Sequence, residues 1–274
     1  MSAEFIERFL ITIPIGVVSG LLAGAFGIGG GIIAVPLIRH ILGETAHVAI
    51  GTTLAVILPT AIIGAVNYWK EKMLVLPLAA YCSVPAILGT ILASAFSHQV
   101  DGQDLMLGLA ALMILVGLDF ITGFGNKLKA KAANADLGSD AVSQTYIDIK
   151  MDKKAILSAI GIGSVVGILS GLLGVGGGFI MVPAFCYLLG LPLKIAFGTS
   201  LVVVAIVSLP GTLVHWYHHH VDLSIAATML VGSIPGAWLG SKLSLKTKDQ
   251  MLRTVFGAIL IVLSILMVYR ELTD

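Results

Sequence analysis

Apolar stretches of about twenty residues, at 46–68, 73–96, 105–124, 193–216 and 251–269, recur along the chain, and each has the length of a helix that crosses bilayer hydrocarbon. They lack the period-two alternation of a membrane β-barrel, and a helix is the other way to satisfy every backbone group within lipid. The expected fold class is therefore an all-α polytopic membrane protein. Charge agrees: 11% of residues are charged, against about 25% in an ordinary soluble domain. A net charge of +1 offers no basic surface to nucleic acid, and no polar segment is long enough for a catalytic domain, so no enzyme is expected. Cys82 and Cys186 lie far apart in apolar segments and read as buried packing thiols rather than a disulfide framework. At the N-terminus, Glu4, Glu7 and Arg8 precede an apolar run. That pattern lacks the basic region and cleavage site of a secretory signal, so the segment is expected to be retained.

A polar stretch at 125–154 separates repeats at 1–124 and 155–274 and reads as a cytoplasmic linker. Gly24, Gly27, Gly29, Gly30, Gly31 and Val35-Pro36 recur as Gly171, Gly174, Gly176, Gly177, Gly178 and Val182-Pro183, at an offset of 147 residues. At the same offset Gly51-Thr52 meets Gly198-Thr199, and Trp69 meets Trp216. A register kept this long marks a duplicated transporter-type half. Each copy holds an apolar arm (9–26 or 155–173), the glycine cluster, a short arm (32–42 or 179–189), and three full-length segments. Eleven residues make about 16 Å of helix, too short to span the bilayer upright, so the glycines are expected to break a hairpin.

Lys and Arg gather on the cytoplasmic side of membrane proteins. If the cluster reverses the chain, of the 16 Lys and Arg only Arg8, Arg39 and Arg270 lie on one face. A continuous helix divides them less sharply. The first arrangement puts both termini outside and the linker inside, making the halves two inverted-topology repeats.

The short arm begins a helix whose first amides have no internal acceptor, and such ends bind anions. Gly29, Gly30, Gly31, Gly176, Gly177 and Gly178 are therefore candidate ligand-facing backbone. Close helix packing alone accounts for Gly16, Gly20, Gly24, Gly163, Gly167 and Gly171, spaced by four. It accounts poorly for three adjacent glycines, which share no helix face. Thr52, Thr53, Thr199 and Ser200 offer hydroxyls to an oxyanion or to their own helices. Asn67 and His215, beside Trp69 and Trp216, read as an equivalent pair lining the same site, with the tryptophans as interfacial anchors. All seven histidines fall on the outer face. The triplet His218, His219 and His220 lacks helical ligand spacing and reads as a solvated loop rather than a metal site. Arg39 reads as snorkelling outward, and Asp119 is the one acidic residue within a spanning segment.

The paired glycine motif followed by Val35-Pro36 and Val182-Pro183, with the Gly-Thr segments and central linker, resembles the TauE/SafE family of sulfite exporters, also called the toluene-sulfonate uptake permease family. The resemblance covers nearly the whole chain. It implies secondary transport of sulfite or organosulfonates such as sulfoacetate in bacterial or archaeal inner membranes, with no enzyme activity, no cofactor and no metal. Converging amides suit a sulfonate, which presents three acceptor oxygens. The halves differ at Ala23 versus Ser170, so the site need not be symmetric. An anion channel and a protein with an external histidine metal site are the competing readings.

Overall fold

The computed structural model describes residues 3–122 and 153–273. All regular structure among them is helical: α1 (Ala3–Phe26), α2 (Gly31–Ile41), α3 (Ala46–Lys70), α4 (Leu76–Ser97), α5 (Gly102–Thr122), α6 (Lys153–Leu173), α7 (Gly178–Leu188), α8 (Leu193–Tyr217), α9 (Leu223–Lys246) and α10 (Asp249–Thr273). Seven of these, α3 to α6 and α8 to α10, are long and apolar enough to cross a membrane by length and composition. Apart from its last two residues, which begin α6, the polar linker lies outside the described residues.

Sequence sets the element ends. The α2 and α7 helices each end two residues before a glycine in the left-handed region, Gly43 (φ 70°) and Gly190 (φ 73°), where a Cβ is disfavoured. Side-chain oxygens of Thr45 and Asp222 cap α3 and α9.

Packing exchanges the halves. The α1 helix lies along α9, and α6 lies along α4, while α3 packs on α8 and α5 on α10. In the α1–α9 pair, Gly16, Gly20 and Gly24 face the backbone of Met229, Ser233 and Ala237 at a constant register, so the helices run parallel. Gly163, Gly167 and Gly171 face Cys82, Ala86 and Thr90 in the α6–α4 pair in the same way. Small residues thus let backbones approach where lipid offers no hydrophobic drive to associate. Thr90 and Ser94 add hydroxyl donors to the carbonyls of Gly167 (3.1 Å) and Gly171 (3.3 Å).

Equivalent helices run antiparallel. Gly51 of α3 meets His215 near the end of α8, and Gly64 meets Leu201 near its start. Gln103 at the start of α5 donates to the Glu271 carbonyl near the end of α10, and Gly117 packs on Gly257. The bundle carries apolar side chains outside, including Leu88, Leu92, Leu213, Val262 and Ile265, and buries Thr52, Thr53, Thr90, Ser170, Thr199, Ser200 and Ser208. That distribution suits a lipid surround.

Candidate functional site where the two broken helices meet

The glycine clusters end one helix and start another. Gly27, Gly29 and Gly30 hold φ values of 69°, 79° and 85°, and Gly174, Gly176 and Gly177 hold 66°, 70° and 69°. Each trio makes the reversal that side-chain-bearing residues resist. Gly30 and Gly177 are the N-caps of α2 and α7, and their carbonyls accept from the amides of Ile33 and Ala34, and of Ile180 and Met181. No acceptor is recorded among the described residues for the amides of Gly31, Ile32, Gly178 and Phe179.

The two breaks touch. A Cβ on Gly31 would meet Val175 and the Gly174 carbonyl, and one on Gly178 would meet Ile28 and the Gly27 carbonyl. Gly29 and Gly176 both pack on Ile57 and Val204, which sit halfway along α3 and α8. The six candidate glycines are therefore brought together at the centre of the bundle and are buried.

The hydroxyl candidates divide by role. Thr52 accepts from the Asp222 amide (2.9 Å) and Thr199 from the Val75 amide (3.0 Å), each holding the turn that enters a partner helix. Ser200 donates to the Gly27 carbonyl (2.7 Å) and thereby ties α8 to the first break. Its counterpart Thr53 is 1% exposed and has no partner for Oγ1. Thr53 lies on α3 between Ile50, which packs on Gly174, and Ile57, which packs on Gly176; spacings of three and four put all three on one face. Ser170, fully buried just before the second break, also has an unpartnered Oγ, whereas Ala23 stands at its mate's position. Two orphan hydroxyls therefore flank the second break. A buried unsatisfied polar group costs about 1–3 kcal/mol, so the pair calls for an explanation.

The pairing of Asn67 with His215 needs correction. At the 147-residue offset His215 corresponds to Tyr68, and geometry agrees. The Tyr68 hydroxyl donates to the Gly24 carbonyl (3.2 Å), while His215 Nε2 lies 3.4 Å from the carbonyl of Gly171, the mate of Gly24. Asn67 instead binds Ser241 Oγ (2.7 Å) and the Trp238 carbonyl on α9. The repeat register that pairs Trp69 with Trp216 marks the Tyr68 position as well. Trp69 and Trp216 are exposed at opposite ends of the antiparallel α3–α8 pair.

Arg39 does not simply snorkel. Its Nη2 lies 3.3 Å from Glu271 Oε1, and His40 Nε2 lies 3.6 Å from Oε2. The Tyr187 hydroxyl similarly donates to Asp119. Each short helix is thus tethered to the last helix of one half, α2 to α10 and α7 to α5. Glu271 is 5% exposed and Arg39 33%. Removing the charge as Glu271→Gln is expected to destabilise by about 1–3 kcal/mol, the range between exposed and buried pairs, read as a fall of several degrees in the melting temperature in detergent. Cys82 and Cys186 are buried and are not joined to each other by a disulfide, and no group of three His, Cys, Asp or Glu among the described residues is placed to hold a metal.

Two repeated units of long apolar helices, joined at the centre by a pair of broken helices, define a polytopic membrane protein of transporter architecture. Comparison with known proteins agrees. The profile described as Sulfite exporter TauE/SafE matches residues 12–267, and the chain belongs to that family. It is similar to a probable membrane transporter protein of Xylella fastidiosa (strain 9a5c), 33% identical over 97% of both chains. It is also similar to the probable membrane transporter proteins YunE of Bacillus subtilis (29%, 89% of each chain) and MJ0441 of Methanocaldococcus jannaschii (23%, 96% of this chain and 97% of the other). No solved structure matches it. The protein is a membrane transporter, not an enzyme.

Proposed function

We propose that this transporter is a secondary carrier of small sulfur-containing anions, sulfite or organosulfonates such as sulfoacetate, bound at the bundle centre where α7 begins. The observation that carries the reading is the pair of buried, unpartnered hydroxyls, Thr53 Oγ1 and Ser170 Oγ, beside the second break. The unpaired first amides of α7 add donors and the positive end of a helix dipole. Gly29, Gly30 and Gly31 bring the first break against the same place. The family description supports a sulfur oxyanion, whose oxygens accept from amides and hydroxyls alike.

Antiparallel packing of equivalent helices supports inverted halves, because a two-fold axis that reverses α3 into α8 runs across those helices. The lysine-rich end, with Lys70, Lys194 and Lys246, then faces the cytoplasm, and the histidine end with both termini faces outside. The bacterial and archaeal relatives support a plasma-membrane location.

Reconstituted liposomes test the reading with a panel of radiolabelled sulfite, sulfoacetate, taurine, thiosulfate and carboxylate analogues. A carrier saturates and exchanges labelled for unlabelled anion, whereas a channel does neither. A hydrogen bond to a charged group contributes about 1.5–3 kcal/mol. Thr53→Val and Ser170→Ala are therefore each expected to raise KM about ten- to a hundred-fold, with the protein still monodisperse. Unchanged KM in both variants removes the site from this place.

A further inference from the structure

The histidine end contains a row of imidazoles that the binding site does not use. His47 and His220 have ring centroids 5.1 Å apart, His220 and His215 5.8 Å, His220 and His218 6.0 Å, and His218 and His98 4.8 Å. One end of the row is wet: His47 lines an open cleft of about 450 Å³ with Arg39, Asp101, Gln103 and Glu271. The other end is dry, since His215 is 0% exposed. The row therefore runs from solvent into the bundle.

Hydrogen bonding fixes what the dry end can do. The Gly171 carbonyl only accepts, so His215 Nε2 must carry the hydrogen of the neutral ring. The Nδ1 lone pair of His215 is left buried without a partner, and so is one ring nitrogen, Nδ1, of His220. Gly171 follows Ser170, so His215 meets the backbone one residue along α6 from the proposed anion contact. The other half has no such group. Tyr68 fills the matching place with a phenol, and the mates of His47, His98, His218, His219 and His220 are Lys194, Leu245, Glu71, Lys72 and Met73.

We propose that His47 and His220 form a proton path from the outer cleft to His215, and that a proton held at His215 Nδ1 accompanies the anion through the transport cycle. This rests on the anion reading above. A proton from water binds at His47, passes through His220, and rests on Nδ1 of His215 while Nε2–H keeps its bond to Gly171; release to the opposite side restores the neutral ring. The positive ring offsets the anion's charge in a low-dielectric interior.

The charged and titratable groups facing the row are His98 at the end of α4, His218, His219 and Asp222 in the α8–α9 turn, Glu44 before α3, and Arg39, Asp101 and Glu271 at the cleft. Burial, then repulsion from His47, His218, His98 and His219, pushes His220 below the usual imidazole value. Its protonated fraction, and transit through it, accordingly rise only as external pH falls below the ordinary imidazole range.

The test uses the full-length protein in liposomes loaded with pyranine, with radiolabelled sulfoacetate as the probe. An acid-outside gradient is expected to drive net uptake with matching internal acidification. His220→Gln is expected to cut gradient-driven uptake about tenfold or more, the scale of a lost proton-transfer group, while anion counterflow, which moves no net proton, is unchanged. His215→Gln is expected to abolish the acidification. Uptake without acidification in the unaltered protein, or full acidification in both variants, overturns the proton path and leaves the carrier reading standing. Absence of counterflow with every anion of the panel sinks the carrier reading instead. A variant that does not elute as a monodisperse species is replaced by His47→Gln, for which the same loss of gradient-driven uptake is expected.

Discussion

Gly167→Leu is expected to leave no folded protein, whereas Gly161→Leu on the same helix is expected to be tolerated. A Cβ on Gly167 would fall well inside contact distance of the Ala86 carbonyl oxygen, and the flanking Gly163 and Gly171 are equally tight against Cys82 and Thr90. Backbone cannot swing aside as a side-chain tip can, so the three-glycine stripe of α6 must separate from α4. Overpacking costs about 1–3 kcal/mol even where side chains yield. Here separation also strains the bonds from Thr90 and Ser94 to Gly167 and Gly171. Gly161 has nothing within 4 Å of a built Cβ and is exposed; leucine there even removes the helix-interior glycine penalty, about 1 kcal/mol. Size-exclusion profiles of the two variants in detergent check the contrast. Equal, monodisperse peaks would show that this contact does not hold the bundle together.

The second large effect concerns the break itself. Gly177→Ala is expected to lower uptake about tenfold or more while the protein stays monodisperse, and Gly43→Ala to leave uptake within about twofold. Both positions are left-handed, with φ values of 69° and 70°, so both substitutions carry the same backbone cost of about 1–2 kcal/mol. They differ in surroundings. Nothing lies within 4 Å of a Cβ at Gly43, whereas at Gly177 the Cβ presses on Val166 Cγ1 and lies 3.0 Å from the Val166 carbonyl. The extra effect at Gly177 is displacement of the α7 N-terminus, which the proposed anion contact requires. Transport at the normal rate by Gly177→Ala would place that contact elsewhere. Gly177→Val adds β-branching to the same strain and is expected to abolish uptake altogether.

Much of this architecture is written in one chain because the duplication supplies its own comparison. The 147-residue register located both breaks, and arm lengths of eleven residues showed that α2 and α7 could not span. What the register could not supply was the partner of each polar atom. Thr52 and Thr53 are adjacent, yet about 100° of helix rotation aims one at the Asp222 amide and leaves the other buried without a partner. Hydropathy does not record that difference. Arg39 meets a carboxylate 232 positions away, and Asn67 a serine 174 away, and local pattern carries no trace of either contact. The register itself pairs Tyr68 with His215. The imidazole row needed folding to exist, since His47, His98 and His215 reach it from three helices or their ends.

The exchanged partnership of α1 with α9 and α6 with α4 has a bearing on how the chain is made. During synthesis the first helix waits through most of the polypeptide before its glycine-lined mate emerges, and the fourth helix waits for the sixth. Neither half can complete its own interior, so assembly in the membrane is a single late event rather than two successive ones. Expressed as separate pieces, the halves should be cleared by proteolysis when alone and survive when made together, like two hands whose fingers hold only once they are laced.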